Sequence, residues 1–136
     1  MRVIFILCTV MLSTGITASA QAVEDASRST IGFIRSNGTV ENSSRSTIGY
    51  FKSDGTVENS SRSTIGFIRK DGTVENASRS TIGYIKDNGT VENASRSTIG
   101  YVRSGVVENS SRNTIGYAKG IDPKHAAAFF FFFFKP

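Results

Sequence analysis

At 136 residues, with a formal charge of +5 and 38% hydrophobic residues, the chain has room for one domain of ordinary globular composition. One cysteine and one histidine exclude a disulfide framework and leave neither a Cys/His metal cluster nor a nucleophile paired with its base. No cofactor, metal or catalytic residue is therefore expected, and the chain reads as a non-enzyme.

Met1 and Arg2 form a short positive start, residues 3–12 an apolar run, and Ala18 Ser19 Ala20 a small-residue cleavage pattern. Together they predict a signal peptide over 1–20, cut after Ala20, and a secreted, periplasmic or cell-envelope protein. The run is too short for a spanning helix, which needs about 20 apolar residues. Cleavage removes Cys8 and leaves 116 residues with 15 basic side chains against 11 acidic ones. Cys8 lies inside the apolar run rather than behind it, which does not fit a lipoprotein.

From Val23 to Gly120 nearly one word returns, Ser-Thr-Ile-Gly-aromatic with Asn113 for Ser in the last copy, centred on Ile31, Ile48, Ile65, Ile82, Ile99 and Ile115 at intervals of 17, 17, 17, 17 and 16 residues. That period suits one small β unit per repeat and is too short for a helical hairpin. Thr30 to Arg35, with equivalents 47–52, 64–69, 81–86, 98–103 and 114–119, is rich in Thr, Ile and aromatics and reads as a strand. Strict alternation would set Ile31 and Phe33 on one face and Thr30, Gly32 and Ile34 on the other. Asn37-Gly38, Asp54-Gly55, Asp71-Gly72 and Asn88-Gly89 then predict type I′ reversals. Thr39 to Asn42 and its copies form the return strand, and the Ser43 Ser44 Arg45 Ser46 stretch forms a polar loop.

Ser104 Gly105 is one residue shorter than the other turns, a deletion that a hairpin tip tolerates and a strand does not. Five hairpins are complete, with half-units at both ends, and pairing those halves would close a ring without free edges. The predicted fold is all-β, tandem 17-residue hairpins closed into a pseudo-symmetric ring over 21–120. A parallel solenoid shares the period, but the Asx-Gly reversals predict antiparallel contact between Ile48 and the Val57 region. The strand glycines Gly32, Gly49, Gly66, Gly83, Gly100 and Gly116 mark either a close approach near an axis or copies of one ancestral glycine.

Residues 121–136 hold Ala126 to Ala128 and six phenylalanines, 129–134. Burying six Phe side chains is worth roughly 9 to 18 kcal/mol, and leaving them in water invites aggregation. The tail is therefore expected to dock on the repeat domain.

The Ile-Gly-Tyr/Phe and Asp/Asn-Gly-Thr-Val units, the ending Ile115 Gly116 Tyr117 Ala118 Lys119 Gly120, and the Pro-Lys, alanine and Phe run that follow resemble the five-fold β-flower proteins of Bacteroidetes. The resemblance covers the whole mature chain. It implies a secreted or envelope β protein with hairpin petals about an axis and no established biochemical activity. Six Ile-Gly words leave five or six petals open.

Glu41, Glu58, Glu75, Glu92 and Glu108 recur in step with Arg45, Arg62, Arg79, Arg96 and Arg112, which predicts solvated ion pairs rather than acid/base machinery. Arg35, Lys52, Arg69, Lys86, Arg103 and Lys119 form a second basic series at strand ends, read as edge protection. Export argues against nucleic acid as its partner. Tyr50, Tyr84, Tyr101 and Tyr117, sharing a position with Phe33 and Phe67, are the candidate ligand-binding residues, able to stack on sugars. Two functions follow: a structural or binding module of the envelope, with a glycan or envelope component as partner, or a lectin-like glycan-binding protein.

Overall fold

The computed structural model describes residues 19–135. The leader's apolar run and Cys8 lie outside the described residues. Six outgoing strands, β2 (Thr30–Arg35), β4 (Thr47–Phe51), β6 (Thr64–Ile68), β8 (Thr81–Ile85), β10 (Thr98–Arg103) and β12 (Thr114–Tyr117), carry the Ile-Gly words. They alternate with six return strands, β1 (Ala20–Asp25), β3 (Thr39–Asn42), β5 (Thr56–Asn59), β7 (Thr73–Asn76), β9 (Thr90–Asn93) and β11 (Val106–Asn109). Every strand pairs antiparallel with both chain neighbours, and β1 pairs with β12 through Glu24↔Tyr117 and Asp25↔Gly116. The result is a closed twelve-stranded barrel of six petals, the sixth assembled from the two terminal half-units.

Turn chemistry departs from the expected type I′ geometry. In Lys52–Thr56 the Gly55 N–H donates to the Lys52 carbonyl at 3.0 Å and Lys52 N–H to the Thr56 carbonyl at 2.9 Å, and only Gly55 has a positive φ, +94°. This is a three-residue loop with glycine in the left-handed position. Asp54 stays at negative φ because its Oδ1 accepts from Thr56 N–H at 3.0 Å. Only the shortened fifth turn has two positive values, Ser104 at 50° and Gly105 at 81°, as type I′ requires. The deletion thus exchanges one hairpin loop for another and leaves Val102↔Val107 in the register of Phe51↔Val57.

Strict alternation also fails, at a bulge. Val40 faces Gly49 but Glu41 faces Thr47, so Ile48 is an extra residue on β4, and β2, β6, β8, β10 and β12 repeat the shift against their preceding strands. Gly32 and Ile34 are buried, and Ile31 packs against the same core although strict alternation had opposed it to them. Phe33 stands opposite Glu41, away from that core. Expected contact between Ile48 and Val57 is realised two to three residues along, as Phe51↔Val57 and Gly49↔Asn59.

The core is a set of rings. Val23, Val40, Val57, Val74, Val91 and Val107, all 0% exposed, form one. Ile34, Phe51, Ile68, Ile85, Val102 and Ala118 form the next, toward the glycine turns. The tail fills the axis. Asp122 caps helix α1 (Pro123–Ala127), its Oδ1 accepting from Lys124 N–H at 2.8 Å, and Ala126 to Ala128 are at most 1% exposed. The backbone then widens into a π-helical segment (Ala128–Phe133).

The six phenyl rings fan out one per petal. Phe129 lies against Gly32, Phe130 against Gly116, Phe131 against Gly100, Phe132 against Gly83, Phe133 against Gly66 and Phe134 against Gly49. At Gly83 a Cβ would lie 2.5 Å from the Phe132 ring and 2.5 Å from the Glu92 carbonyl oxygen, so neighbouring strand and tail both require glycine there. The tail lies within the ring, and the strand glycines mark its close approach near the axis.

Candidate functional site: the outer Arg–aromatic–Glu stacks and the glycine-turn cleft

The outer wall repeats one motif six times. At the loop after β3, Asn42 Oδ1 accepts from Ser44 N–H at 2.9 Å and Ser46 N–H at 3.0 Å, while Arg45 N–H donates to the Asn42 carbonyl at 2.9 Å. This is the same three-residue loop as at the glycine turns, but Arg45 occupies the left-handed position at φ 69°. A non-glycine residue pays about 1–2 kcal/mol there. The offset comes from the side chain, whose guanidinium carbon sits 3.7 Å from the Phe33 ring centroid. Such stacking is worth about 0.5–1 kcal/mol at an exposed site and more when desolvated. Arg62 over Tyr50, Arg96 over Tyr84 and Arg28 over Tyr117 at 3.7 Å, and Arg79 over Phe67 and Arg112 over Tyr101 at 3.8 Å, repeat it.

Beside each ring stands a glutamate, and in four petals the carboxylate end of the expected pair is buried, Glu41, Glu58, Glu75 and Glu92 being 6–8% exposed while their loop arginines stay exposed. Each carboxylate lies between one cation of the loop series and one of the strand-end series. Arg35 and Arg69 bond Glu41 and Glu75 through Nε at 2.9 and 2.8 Å, leaving Oε1 without a hydrogen bond, 3.8 and 3.7 Å from Arg45 and Arg79. Where the strand-end cation is Lys52 or Lys86, at 3.6 and 3.7 Å, the carboxylate turns to Arg62 or Arg96 at 3.2 and 3.3 Å instead. The strand-end basic series is therefore tied into the wall at these four petals.

Tyr50, Tyr84, Tyr101 and Tyr117 stand at equivalent places on four petals, half-buried, each with a guanidinium over its ring. They are brought to one level around the barrel and not to one another. Ring edges and the uncovered parts of the guanidinium are what this surface offers a ligand.

The open end at the glycine turns has a different character. Ala118 and Val102 are the small members of their core ring where the chain leaves β12 for the axis, and α1 packs beside β10. On the far side the ring carries its largest member, Phe51, stacked on His125 with centroids 4.5 Å apart and planes 6° from parallel. The off-axis helix leaves a cleft of about 950 Å³ between itself and the second and third glycine turns, bordered by Asp54, Lys52, Lys70, Asp71, Lys124 and His125. Lys124 Nζ reaches across the cleft to donate to the Lys70 carbonyl at 2.7 Å.

Hydrogen bonds from the backbone and side chain of Thr56 hold the Asp54 carboxyl below its usual range, and Thr73 does the same for Asp71. Burial pushes the His125 imidazole below its ordinary 6.5, opposed by Asp122. Among the described residues no group of three or more His, Cys, Asp or Glu is placed to hold a metal. Asp54 and Asp71 were legible only as turn residues, and Phe51, Lys70 and Lys124 carry no motif of their own. Their signal is departure from the repeat: Phe51 stands where the other units carry Ile, Val or Ala, and Lys70 where they carry Ser or Asp.

A closed antiparallel barrel of hairpin petals with an axial plug defines the class. A family model described as 5-fold beta-flower protein matches residues 19–135, and the chain belongs to that family. This member closes six petals rather than five. No curated protein and no solved structure matches the chain.

Proposed function

We propose that the protein is an exported, non-catalytic binding or scaffolding module of the cell envelope that engages its partner through the outer wall. The observation that carries this reading is the sixfold recurrence of the Arg–aromatic–Glu stack on one rigid wall. Weak sites at fixed spacing gain avidity on a repetitive surface. Export rests on the leader over 1–20. The first strand begins at Ala20, and the Ser19 carbonyl accepts from Ser36 N–H at 2.8 Å, so cleavage after Ala20 would trim one end of β1. Strands of four to six residues are shorter than the 9–11 of a membrane-spanning barrel, and no described helix is long and apolar enough to cross. The strand lengths favour a barrel beside the membrane rather than through it.

The test is fractionation of producing cells with N-terminal sequencing of the recovered protein, followed by sedimentation with isolated envelope. Start sites near Gln21 and co-sedimentation weakened by Arg62→Ala with Arg96→Ala support the reading. Recovery from the cytosol with Met1 intact, or sedimentation indifferent to both substitutions, overturns it.

Glycan recognition is the second reading, favoured by four tyrosines half-buried at equivalent positions. A glycan-array signal competed by free sugar and lost in Tyr50→Ala with Tyr84→Ala supports it over a purely structural module.

A further inference from the structure

The ring of glycines and the phenylalanine run agree in more than number. Successive residues of the run take successive petals, passing from Gly32 to Gly116 and then backwards around the barrel to Gly49, with no seat skipped and none used twice. Six seats on a closed barrel demand a step of about 60° per residue, whereas an α-helix turns about 100° per residue. Rings on an α-helix would fall out of step with the petals after one residue. The chain leaves α-helical geometry at Ala128, one residue before the run, for the π form, otherwise rare, whose smaller turn per residue narrows that mismatch.

Each seat is closed on two sides. At Gly83 the space a Cβ would fill lies 2.5 Å from both the Phe132 ring and the Glu92 carbonyl oxygen, so the seat admits a ring only because the strand residue has no side chain. We propose that every Ile-Gly word is a binding seat for one phenyl ring, and that the length of the phenylalanine run is thereby matched to the number of petals. A run one ring short leaves an unfilled seat in the apolar core. A run one ring long has a phenyl group with nowhere to dock, which stands in solvent or displaces a neighbour.

Four chains carrying the complete tail test this by thermal melting. They are the native chain, a chain with one phenylalanine deleted from the run, a chain lacking residues 81–97, and a chain with both deletions. Removing 81–97 joins Ser80 to Thr98, the Ser-Thr junction already present before the first five Ile-Gly words, and takes out one petal in register. Loss of one ring is expected to lower the melting temperature of the six-petal chain. In the five-petal chain the same loss is expected to raise it, by about 5 °C or more. A five-petal chain that melts equally well or better with six rings overturns the matching.

If five petals do not fold at all, the native frame gives the second readout. Gly83→Ala is combined with Phe132→Ala, its own ring, or with Phe131→Ala, its neighbour's. Because the Glu92 carbonyl clash persists in every case, relief is expected to be partial; partial relief by the first combination only supports one seat per ring, and equal relief by both, or relief by neither, overturns it.

Discussion

The two ends of the barrel are built from the same backbone loop and closed by opposite residues. At one rim the left-handed position holds glycine, at φ of 92–94° in four turns, and at the other it holds arginine, at 69–71° in six. The difference lies in what surrounds the Cβ. At Gly55 the added carbon would lie 2.5 Å from the Ile68 carbonyl oxygen, because Ile68 N–H approaches to donate to the Gly55 carbonyl at 2.8 Å. At the other rim the side chain turns back over an aromatic residue on the wall. Identical local geometry thus accepts either residue, and the adjacent strand decides which.

The sharpest way to break this comparison is Gly55→Ala. Positive φ and a backbone clash that cannot rotate away should together cost about 2 kcal/mol or more, read as a lowered urea midpoint with unchanged slope. A neutral result would mean that the glycine rim is as permissive as the arginine rim.

A second test concerns the tail that threads the glycine rim. Burial keeps His125 neutral in the folded chain, so its folded pKa lies below the unfolded 6.5. The unfolded chain then binds the extra proton as pH falls below 6.5. Stability should be fully present above that value and decline beneath it, by at most about 1.4 kcal/mol per pH unit for one proton. His125→Asn should flatten that segment of the stability–pH curve. An undiminished slope in the variant would assign the dependence to other groups.

The smallest effect belongs to Arg62→Gly at the opposite rim. Relief of left-handed strain, about 1 kcal/mol, should nearly cancel the lost stack on Tyr50 and the lost pair with Glu58. The expected change is a destabilisation of no more than about 1 kcal/mol. A loss as large as that of Gly55→Ala would show the stack to be worth far more than an exposed cation–π contact.

Much of the architecture was legible in the residues. A 17-residue period, Asx-Gly reversals and a half-unit at each end are enough to require antiparallel hairpins and a closed ring, because an unpaired β1 or β12 would leave a bare sheet edge. Docking of the tail followed from the cost of keeping Phe129 and its neighbours in water. The candidate site was read less well. Glu41 looked like half of a solvated pair and is instead 6% exposed, since burial depends on Arg35 at the end of β2 and Arg45 in the loop after β3 closing over it. The cleft beside His125 was not visible, because it is the space left by a helix that sits off the axis.

What the sequence determined by itself is what repeats along the chain: strand, reversal, return strand, loop, five times with a half-unit at each end, and an apolar tail that must be buried. These depend on local backbone preference and on hydrophobic burial, both of which are properties of short stretches. Tertiary structure alone decided which positions face the axis, since one bulge at Ile48 overrides the period of two. It also decided why arginine stands in a left-handed position and why glycine recurs mid-strand. Those choices answer to a ring on an adjacent strand and to a phenyl group from the far end of the chain, contacts fixed by absolute position around the barrel rather than by spacing along the sequence.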